Sequence, residues 1–410
     1  MLKPLKQKPG VGRIACALVA AALVAAGCGA PEAKKPAASD SGAAVPDKPS
    51  SPQTINVMDV AGNLQLTQPI LDDFQKAHPE IVTKIVTTKA TAPELAPKIK
   101  AEQDAGRLDI DMVLTGTDGL SAGIAQNLWA KLSKDYSSKL PKLADVYTEQ
   151  AAKMNELAQG QCVTITAYPS GPEIEYNPKT VTNPPTTAEA LLEYAKTHPK
   201  KVEWAQPRNS GPARTLLMGM PYILGDKDPK DPVNGWEKTW AYMADIAQYQ
   251  PAFPGGTTQT MKDLANGTVD IIATTTGWDI NPRALGTVPA EMKVAQLKGF
   301  KWVWDAHYVC VPNGASADKL SAILQLTKFM LDKKEQAHTF DKGYFYPGPA
   351  VKDVTIDMAP QASQDVIKQF GRPEYDDLIK NTPWTTSLPA EAQVTAFDTW
   401  DKKVGAVAKK

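Results

Sequence analysis

Residues 209–214, Asn-Ser-Gly-Pro-Ala-Arg, combine the features of a site that binds anions. Ser210 or Gly211 can cap the start of a helix, and Pro212 suits the first helical turn. The free amide groups of that turn and the guanidinium of Arg214 would together hold a phosphate-like or carboxylate-like group. The alternative is an ordinary capped helix whose arginine pairs with a surface acid.

An aromatic and an acidic side chain follow the predicted strand Val-Asp-Ile-Ile-Ala-Thr-Thr-Thr, residues 269–276. Trp278 offers a face on which a ligand can stack, and Asp279 could pair with an ammonium group. The alternative places Trp278 in the core and Asp279 at the cap of the next helix. Together with residues 209–214, this loop would suit a small zwitterion or an amine that carries a phosphonate.

Four further loops place polar or aromatic side chains beside predicted strands. The candidate ligand contacts in these loops are Asn63, Thr117, Asp118, Tyr168, Ser170 and Tyr344. Asp118 follows the third strand and is either a ligand contact or a helix N-cap. Tyr168 lies past a long apolar strand and either stacks on a ligand or packs in the core.

One sequence pattern is typical of hydrolases. Residues 119–123, Gly-Leu-Ser-Ala-Gly, fit the nucleophile elbow G-x-S-x-G, which requires an apolar strand that runs directly into the first glycine. Residues 115–118 intervene, so Ser121 is expected inside the following helix, and a secreted serine hydrolase is the disfavoured alternative. The histidines lack the spacing of a zinc site, and no P-loop or dinucleotide-binding glycine pattern occurs. We therefore expect no metal, no cofactor and no enzymatic activity.

Strands and helices alternate from residue 54 and would bring these loops together. The segment Thr-Ile-Asn-Val-Met-Asp-Val predicts a strand, and the segment after it places Leu66, Ile70 and Phe74 on one helical face. The order strand, helix, strand, helix, strand continues to residue 116 and predicts a parallel sheet covered by helices. A second α/β series begins after Cys162. Loops at the carboxyl ends of such strands are where α/β folds bind ligands.

The N-terminus predicts export and attachment to a membrane. The first 27 residues carry four basic residues near their start and no acidic one, and a short apolar run follows. This arrangement is typical of a signal peptide. Cys28 follows Ala25-Ala26-Gly27, which resembles the lipobox of bacterial lipoproteins, so we expect cleavage before Cys28 and a diacylglycerol on its sulfur. An ordinary secreted protein is the alternative. Residues 29–53 are rich in Ala, Pro and Ser, contain no aromatic residue, and predict a flexible tether.

Two cysteines remain in the part of the chain expected to fold. Cys162 and Cys310 both lie in apolar segments typical of strands. Outside the cytoplasm they can form a disulfide, and the alternative is two buried free thiols.

The charge of the chain excludes one class of partner. The formal net charge of the 410 residues is 0, so removal of a leader with four bases and no acid leaves a net charge of −4. Nucleic-acid binding requires a basic surface, and we therefore expect no nucleic-acid partner.

The sequence resembles the bacterial extracellular solute-binding proteins of the family 1 type, the receptors of ABC importers. The resemblance covers the whole chain after the leader and depends on the order of several segments. These segments are the lipobox, residues 54–62, residues 109–129, residues 164–172, residues 266–280, residues 304–331 and residues 343–351. Within the family, the sequence is most similar to members assigned to polyamine, iron, thiamine or phosphonate-type solutes.

The resemblance implies the type II periplasmic-binding-protein fold, an α/β fold with two lobes. Each lobe would contain a mostly parallel sheet with helices on both faces. We expect residues 54–165 and 305–343 in the first lobe and residues 166–304 and 344–410 in the second. Extended segments near residues 162–169, 302–312 and 344–351 would connect the lobes, and hinge closure would enclose the ligand between them.

The resemblance also implies the function. We expect a monomeric, lipid-anchored receptor that closes over a small polar solute and delivers it to an ABC permease and its ATPase subunit. Its location would be the cell envelope, on the periplasmic side or the outer face of the cell membrane, with membrane contact through the lipid only. The alternative is a lipid-anchored sensor or adhesion module that binds a solute without transport.

Overall fold

The computed structural model describes residues 45–407. The predicted signal peptide, Cys28 and residues 29–44 of the predicted tether lie outside the described residues. Within residues 45–407, no helix combines the length and the apolar character needed to cross a membrane.

The described residues form strands and helices in the following order. The strands are β1 Gln53–Val60, β2 Val82–Ala90, β3 Met112–Gly116, β4 Val163–Gly171, β5 Glu173–Tyr176, β6 Val202–Glu203, β7 Ile271–Thr274, β8 Lys293–Ala295, β9 Trp302–Cys310, β10 Gly348–Pro349 and β11 Trp384–Thr386. The first eight α-helices are α1 Leu64–Ala77, α2 Ala92–Asp104, α3 Thr117–Ala125, α4 Leu132–Asp135, α5 Leu143–Val146, α6 Glu149–Leu157, α7 Ala188–Thr197 and α8 Gly211–Ile223. The remaining α-helices are α9 Glu237–Ala247, α10 Thr257–Ala265, α11 Thr276–Ala284, α12 Ala317–Met330, α13 Lys333–Gln336, α14 Gln361–Phe370, α15 Tyr375–Asn381 and α16 Ala390–Trp400. Short 3₁₀ segments lie at Ser137–Lys139, Pro207–Asn209, Ala337–Gly343 and Ile356–Met358, and a π-helical turn at Asp401–Gly405.

The first helix shows how the apolar pattern produces the packing. Leu66, Ile70 and Phe74 are spaced four residues apart, and all three are buried on one face of α1. Ile70 and Phe74 pack in a core that also contains Ile55 and Val57 of β1. The predicted strand and helix are both confirmed. The alternating apolar residues of β1 and the apolar face of α1 are buried in the same core.

The strands form two sheets, one in each lobe. The larger sheet has the order β10-β4-β9-β3-β1-β2, with β11 also beside β9, and the smaller has the order β6-β7-β5-β8. Each sheet has its own hydrophobic core, with Trp129 and Trp302 buried in the first and Trp204 and Trp236 in the second. The predicted two-lobed α/β fold is confirmed.

The pairing within the sheets is mixed and differs from the expected mostly parallel arrangement. In the larger sheet β1 is parallel to β2 and β3, whereas β9 is antiparallel to β3 and β4. In the smaller sheet β5 is antiparallel to β7 and β8. The reason is that β4 leads from the first lobe into β5 of the second, while β9 returns from the second lobe beside it. Adjacent connecting strands that run in opposite directions must pair antiparallel.

The C-terminal part of the chain is divided between the lobes differently from the sequence expectation. Residues 344–410 were expected in the second lobe, but β10 pairs with β4 of the larger sheet, and Ala350 and Val351 lie in the first core. Leu388, which follows β11, lies in the second core together with Trp400. Before β11, Arg372 and Tyr375 already bond to Met292 and Glu173 of the second lobe, so this part of the chain contacts both lobes.

The end of the predicted tether also differs from the expectation. Asp47 forms an ion pair with Lys139, and Ser50 bonds to Asp318 at the start of α12. Residues 47–50 therefore lie against the first lobe, and the described chain is attached to it before β1 begins.

The two cysteines join the strands that connect the lobes. A disulfide links Cys162, just before β4, to Cys310 at the end of β9. Both residues are fully buried in the first core, and β4 and β9 pair along their length. The bond therefore fixes the first-lobe ends of both connecting strands.

We expect the disulfide to stabilise the protein substantially, because it closes a loop across a sequence separation of 148 residues. Replacement of both Cys162 and Cys310 by alanine should lower the free energy of unfolding by about 3–5 kcal/mol. Urea unfolding monitored by tryptophan fluorescence measures the change. Wild-type protein unfolded in the presence of a reductant is the control and should match the variant; an unfolding curve insensitive to reductant contradicts the prediction.

Candidate functional site

A cavity of about 290 Å³ lies between the two lobes. The first lobe contributes Ala61 and Gly62, which follow β1, and Asp118 at the start of α3. The second lobe contributes residues 209–211 and 256–258. All these residues lie at the ends of strands or the starts of helices, as expected for an α/β binding cleft.

A larger depression of about 430 Å³ lies elsewhere, on the outer face of the first lobe beside α1 and α12. It is lined in part by Asp47, Lys139 and Lys328, and all of its lining residues belong to the first lobe and the segment before β1. The cleft is the better candidate because both lobes contribute residues to it, whereas the depression lies on one lobe.

Helix α8 begins at the cavity in the way that the sequence predicts. The Ser210 hydroxyl accepts a hydrogen bond from the amide of Ala213 at 3.3 Å and so caps the helix. Gly211 occupies the first helical position, whose amide has no partner within the helix. This N-terminus therefore presents an amide and the positive end of the helix dipole to the cavity.

Arg214 is buried in the wall of the cavity and paired with two acids. Its Nη1 lies 2.9 Å from Oδ2 of Asp118, and its Nη2 donates to the carboxylate of Asp305 on β9. The side chain of Arg214 is only 3% exposed, and its Nε has no hydrogen-bond partner among the described residues. Burial, the largest single influence, raises the pKa of Asp305, but the guanidinium of Arg214, the neighbouring His307 and the hydrogen bond from Thr117 together hold that pKa below its usual value.

A second helix N-terminus, which the sequence analysis missed, lies beside the first. Gly256, Thr257 and Thr258 at the start of α10 line the cavity, and the hydroxyls of Thr257 and Ser210 are 2.7 Å apart. The sequence contained a signal for this helix start. Residues 255–258, Gly-Gly-Thr-Thr, combine two turn-forming glycines with residues that are weakly favoured at the start of a helix. Two helices therefore direct their positive ends into one cavity.

Aromatic side chains form the wall of the cavity between the two lobes. Trp278 of α11 lies with its ring centroid 5.3 Å from that of Tyr344. Tyr168 of β4 stacks on Phe345 with centroids 4.8 Å apart and donates a hydrogen bond to Asp305 over 3.1 Å. These rings supply an apolar surface on which a planar or apolar part of a ligand can pack.

His307 on β9 presents a neutral imidazole to the cavity. Its Nδ1 lies 2.7 Å from Oδ1 of Asn63, and the amide nitrogen of Asn63 donates to the carbonyl of Val60. This arrangement makes Nδ1 the protonated nitrogen and leaves Nε2 as an acceptor. Burial lowers the pKa of His307 to about 4, so the ring carries no charge near neutral pH.

The structure brings most of the predicted contacts to the cavity. The predicted residues that line it are Asp118, Tyr168, Ser210, Gly211, Arg214, Trp278 and Tyr344. Asn63 and Thr117 lie behind the wall, where Asn63 orients His307 and the Thr117 hydroxyl bonds to Asp305. The buried Ser170 does not line the cavity either.

Asp279 lies away from the cavity and is already neutralised. Its carboxylate is 3.0 Å from Nε of Arg283, 2.6 Å from Nη2 of Arg372 and 3.0 Å from the Tyr375 hydroxyl. The helix cap proposed as its alternative role is filled by Thr275, whose hydroxyl accepts from the amide of Trp278. Asp279 therefore joins α11 to the segment around α15 and has no free oxygen for a ligand ammonium.

Ser121 does not form a nucleophile elbow. It lies in the second turn of α3 and is 2% exposed. The strand before it ends at Gly116, five residues earlier, so the sharp strand-to-helix turn of a hydrolase is not formed at this serine.

The comparisons with known proteins agree on one family. Residues 70–368, more than half of the chain, match the family described as bacterial extracellular solute-binding protein. No curated protein sequence matches the chain significantly.

Solved structures share the fold over nearly their whole length. AfuA of Actinobacillus pleuropneumoniae, a periplasmic binding protein solved with fructose-6-phosphate bound, has a TM-score of 0.63 and 13% identity, and the match covers 86% of this chain and 99% of that one. A periplasmic thiamin binding protein has a TM-score of 0.60 and 15% identity over 88% of this chain and 99% of that one. The spermidine/putrescine ABC transporter substrate-binding protein PotD of Streptococcus pneumoniae has a TM-score of 0.56 and 13% identity over 87% of this chain and all of that one.

At these identities the structural likeness establishes the fold, and the sequence match establishes the family. The family is one of binding proteins and not of enzymes. This chain therefore belongs to the bacterial extracellular solute-binding protein family.

Proposed function

We propose that the protein binds a small solute that carries one anionic group and delivers it to the permease of an ABC importer. The observation that carries this proposal is that the N-termini of α8 and α10 and the side chain of Arg214 face one cavity. A phosphate, phosphonate or carboxylate group would accept hydrogen bonds from the amides of these first turns and from the guanidinium.

The charges around the cavity favour this ligand over a polyamine. A polyamine requires carboxylates that are free to pair with ammonium groups. Here Asp118, which lines the cavity, and Asp305 already share Arg214, and Asp279 is occupied by Arg283 and Arg372. AfuA, which was solved with fructose-6-phosphate, supports an anionic solute on this fold.

The rest of the ligand would lie against the aromatic wall. Trp278 and Tyr344 offer ring faces, and Nε2 of the neutral His307 can accept one hydrogen bond. The volume of about 290 Å³ is at the lower end of the range for ligand pockets, which favours a solute of the size of a sugar phosphate.

The same arginine supports lobe closure as part of the function. Asp118 belongs to α3 of the first lobe and Arg214 to α8 of the second, so their ion pair spans the cleft. A solute that binds between the lobes would add contacts to both and stabilise the closed form, which the permease would recognise.

Attachment to the membrane completes the proposal and depends on the sequence alone. Ala25-Ala26-Gly27-Cys28 supports cleavage before Cys28 and acylation of its sulfur. Two or three acyl chains hold a protein at a membrane surface, since each buried CH₂ contributes about 0.8 kcal/mol. Residues 29–44 would then act as the tether between the lipid and the first lobe.

We expect a solute with a phosphate group to raise the melting temperature more than the same solute without it, as measured in a thermal-shift assay. Fructose 6-phosphate and inorganic phosphate should raise the melting temperature more than fructose or spermidine, and a ligand at 100 times its Kd adds about 2.7 kcal/mol. Arg214→Lys keeps the charge opposite Asp305 but removes the planar fork, so affinity for phosphate should fall at least about tenfold.

Arg208→Lys is the matched control, because Arg208 pairs with Asp398 and Asp401 outside the cavity. This variant should bind like wild type. The proposed anionic ligand is wrong if spermidine stabilises the protein while phosphate-bearing solutes do not, or if Arg214→Lys leaves phosphate affinity unchanged.

The contribution of the α10 amides can be tested without changing a charge. Thr257 is the first residue of α10 and follows Gly256 in extended conformation, so proline fits there without disturbing the helix. Thr257→Pro removes the amide and the hydroxyl, whereas Thr257→Ala removes only the hydroxyl. We expect phosphate affinity, measured by calorimetry, to fall about three- to tenfold further in the proline variant; equal affinities would exclude the amide as a ligand contact.

Loss of the interlobe ion pair should open the unliganded protein. Asp118→Asn removes one charge of the pair, and we expect a larger radius of gyration than that of wild type by small-angle X-ray scattering. Asp398→Asn, which breaks a surface ion pair within the second lobe, is the control and should leave the radius unchanged. Identical scattering from Asp118→Asn and wild type would show that this pair does not hold the lobes together.

A further inference from the structure

Three side chains that can ligate a metal lie together on the first lobe, away from the cleft. They are Asp73 of α1, Glu335 of α13 and His338 of the 3₁₀ segment Ala337–Gly343. Each offers one ligand atom, and these atoms all lie within 4.8 Å of one another. None of the three lines the cavity between the lobes.

The burial of Glu335 indicates that a cation belongs at this cluster. The residue is 2% exposed, and its Oε2 has no hydrogen-bond partner among the described residues. Its Oε1 lies 3.3 Å from Nζ of Lys334, but the Lys334 side chain is 81% exposed and solvated. A buried carboxylate oxygen without a partner is costly, and a bound metal ion would remove that cost.

The spacing of the ligands agrees with a metal site. Glu335 and His338 are three residues apart, the Glu-x-x-His spacing that puts a carboxylate and an imidazole on one helical face. Nε2 of His338 lies 3.9 Å from Oδ2 of Asp73. Two ligand atoms on a tetrahedral metal with bonds near 2.1 Å are about 3.4 Å apart, so ligand atoms that now lie within 4.8 Å of one another would have to approach by about 1.4 Å at most.

We propose that Asp73, Glu335 and His338 bind a divalent transition-metal ion such as Zn²⁺. One imidazole nitrogen and two carboxylate oxygens suit Zn²⁺, Mn²⁺ or Co²⁺ better than Ca²⁺ or Mg²⁺, which prefer oxygen ligands alone. The side chains of Asp73 and His338 are 44% and 21% exposed, so the ion has access from solvent and room for a water ligand.

The position of the site gives the metal a structural role beside the cleft. It joins α1 to the segment 337–343, which continues directly into Tyr344 and Phe345 of the aromatic wall. Helix α1 begins after Asn63, which orients His307. The bound ion therefore holds in place two elements that position cavity residues.

The test uses the full chain, with metal removed by a chelator and the chelator then removed. We expect equilibrium dialysis with Zn²⁺ to show one site that is lost or weakened at least tenfold in His338→Gln and in Asp73→Asn. The Co²⁺-loaded wild type should show visible d–d absorption, and this absorption should disappear when Zn²⁺ replaces Co²⁺. His198→Gln, which removes an exposed histidine of the second lobe, is the matched control and should bind one ion like wild type.

Circular dichroism establishes that each variant is folded, and the Co²⁺ spectrum of wild type tests the site without any variant. The proposal is overturned if wild type binds no stoichiometric Zn²⁺ or Co²⁺. It is equally overturned if His338→Gln and Asp73→Asn bind the ion as tightly as His198→Gln does.

Discussion

The structure of the cleft depends on one buried ionic interaction, that of Arg214 with Asp118 and Asp305. The three side chains come from α8 of the second lobe, α3 of the first lobe and the connecting strand β9, and each is at most 7% exposed. The guanidinium requires both acids, because removal of one partner from a buried ion pair costs about 3–5 kcal/mol. The two acids satisfy only part of its hydrogen-bonding capacity, since Nε has no partner among the described residues. The same residue therefore joins the two lobes and keeps one buried N–H without a partner among the described residues.

The connecting strands β4 and β9 hold Asp305, one partner of Arg214, in a fixed position. β4 and β9 pair over most of their length, and the disulfide fixes their first-lobe ends. Asp305 and Tyr168 lie opposite each other in this pair. The chain passes between the lobes beyond these residues, where β4 gives way to β5 and β8 to β9. Arg214 of the second lobe bonds to both Asp118 and Asp305, so a separation of the lobes at this junction would change both contacts.

Local sequence patterns predicted the elements and most of the loops that line the cavity, but they could not predict the partners of charged residues. Ser210 and Arg214 were identified because an N-cap and a first-turn arginine are local signals. The pairing of Arg214 with Asp305 joins residues 91 positions apart and depends on the fold. Asp279 shows the same limit, because Arg372, 93 residues away, occupies the carboxylate that the sequence analysis assigned to a ligand. The mixed strand pairing and the return of residues 348–351 to the first lobe are likewise consequences of chain topology, which periodicity does not encode.

The aromatic wall shows how closely the two lobes are fitted around the cavity. A Cβ at Gly62, which has a φ of +76°, would collide with the Tyr344 hydroxyl, and one at Gly277 of α11 would collide with the Tyr344 carbonyl. Both lobes therefore approach Tyr344 as closely as glycine allows. The segment that carries this ring is held to the first lobe by pairing of β10 with β4 and by Gln336, whose side chain bonds to the carbonyl of Ile165 and the amide of Ala350. It is held to the second lobe by the hydroxyl of Thr276, which donates to the carbonyl of Tyr346. Because the bonds to the first lobe are more numerous and more buried, separation of the lobes would part Trp278 from Tyr344 and open the cavity along its aromatic side.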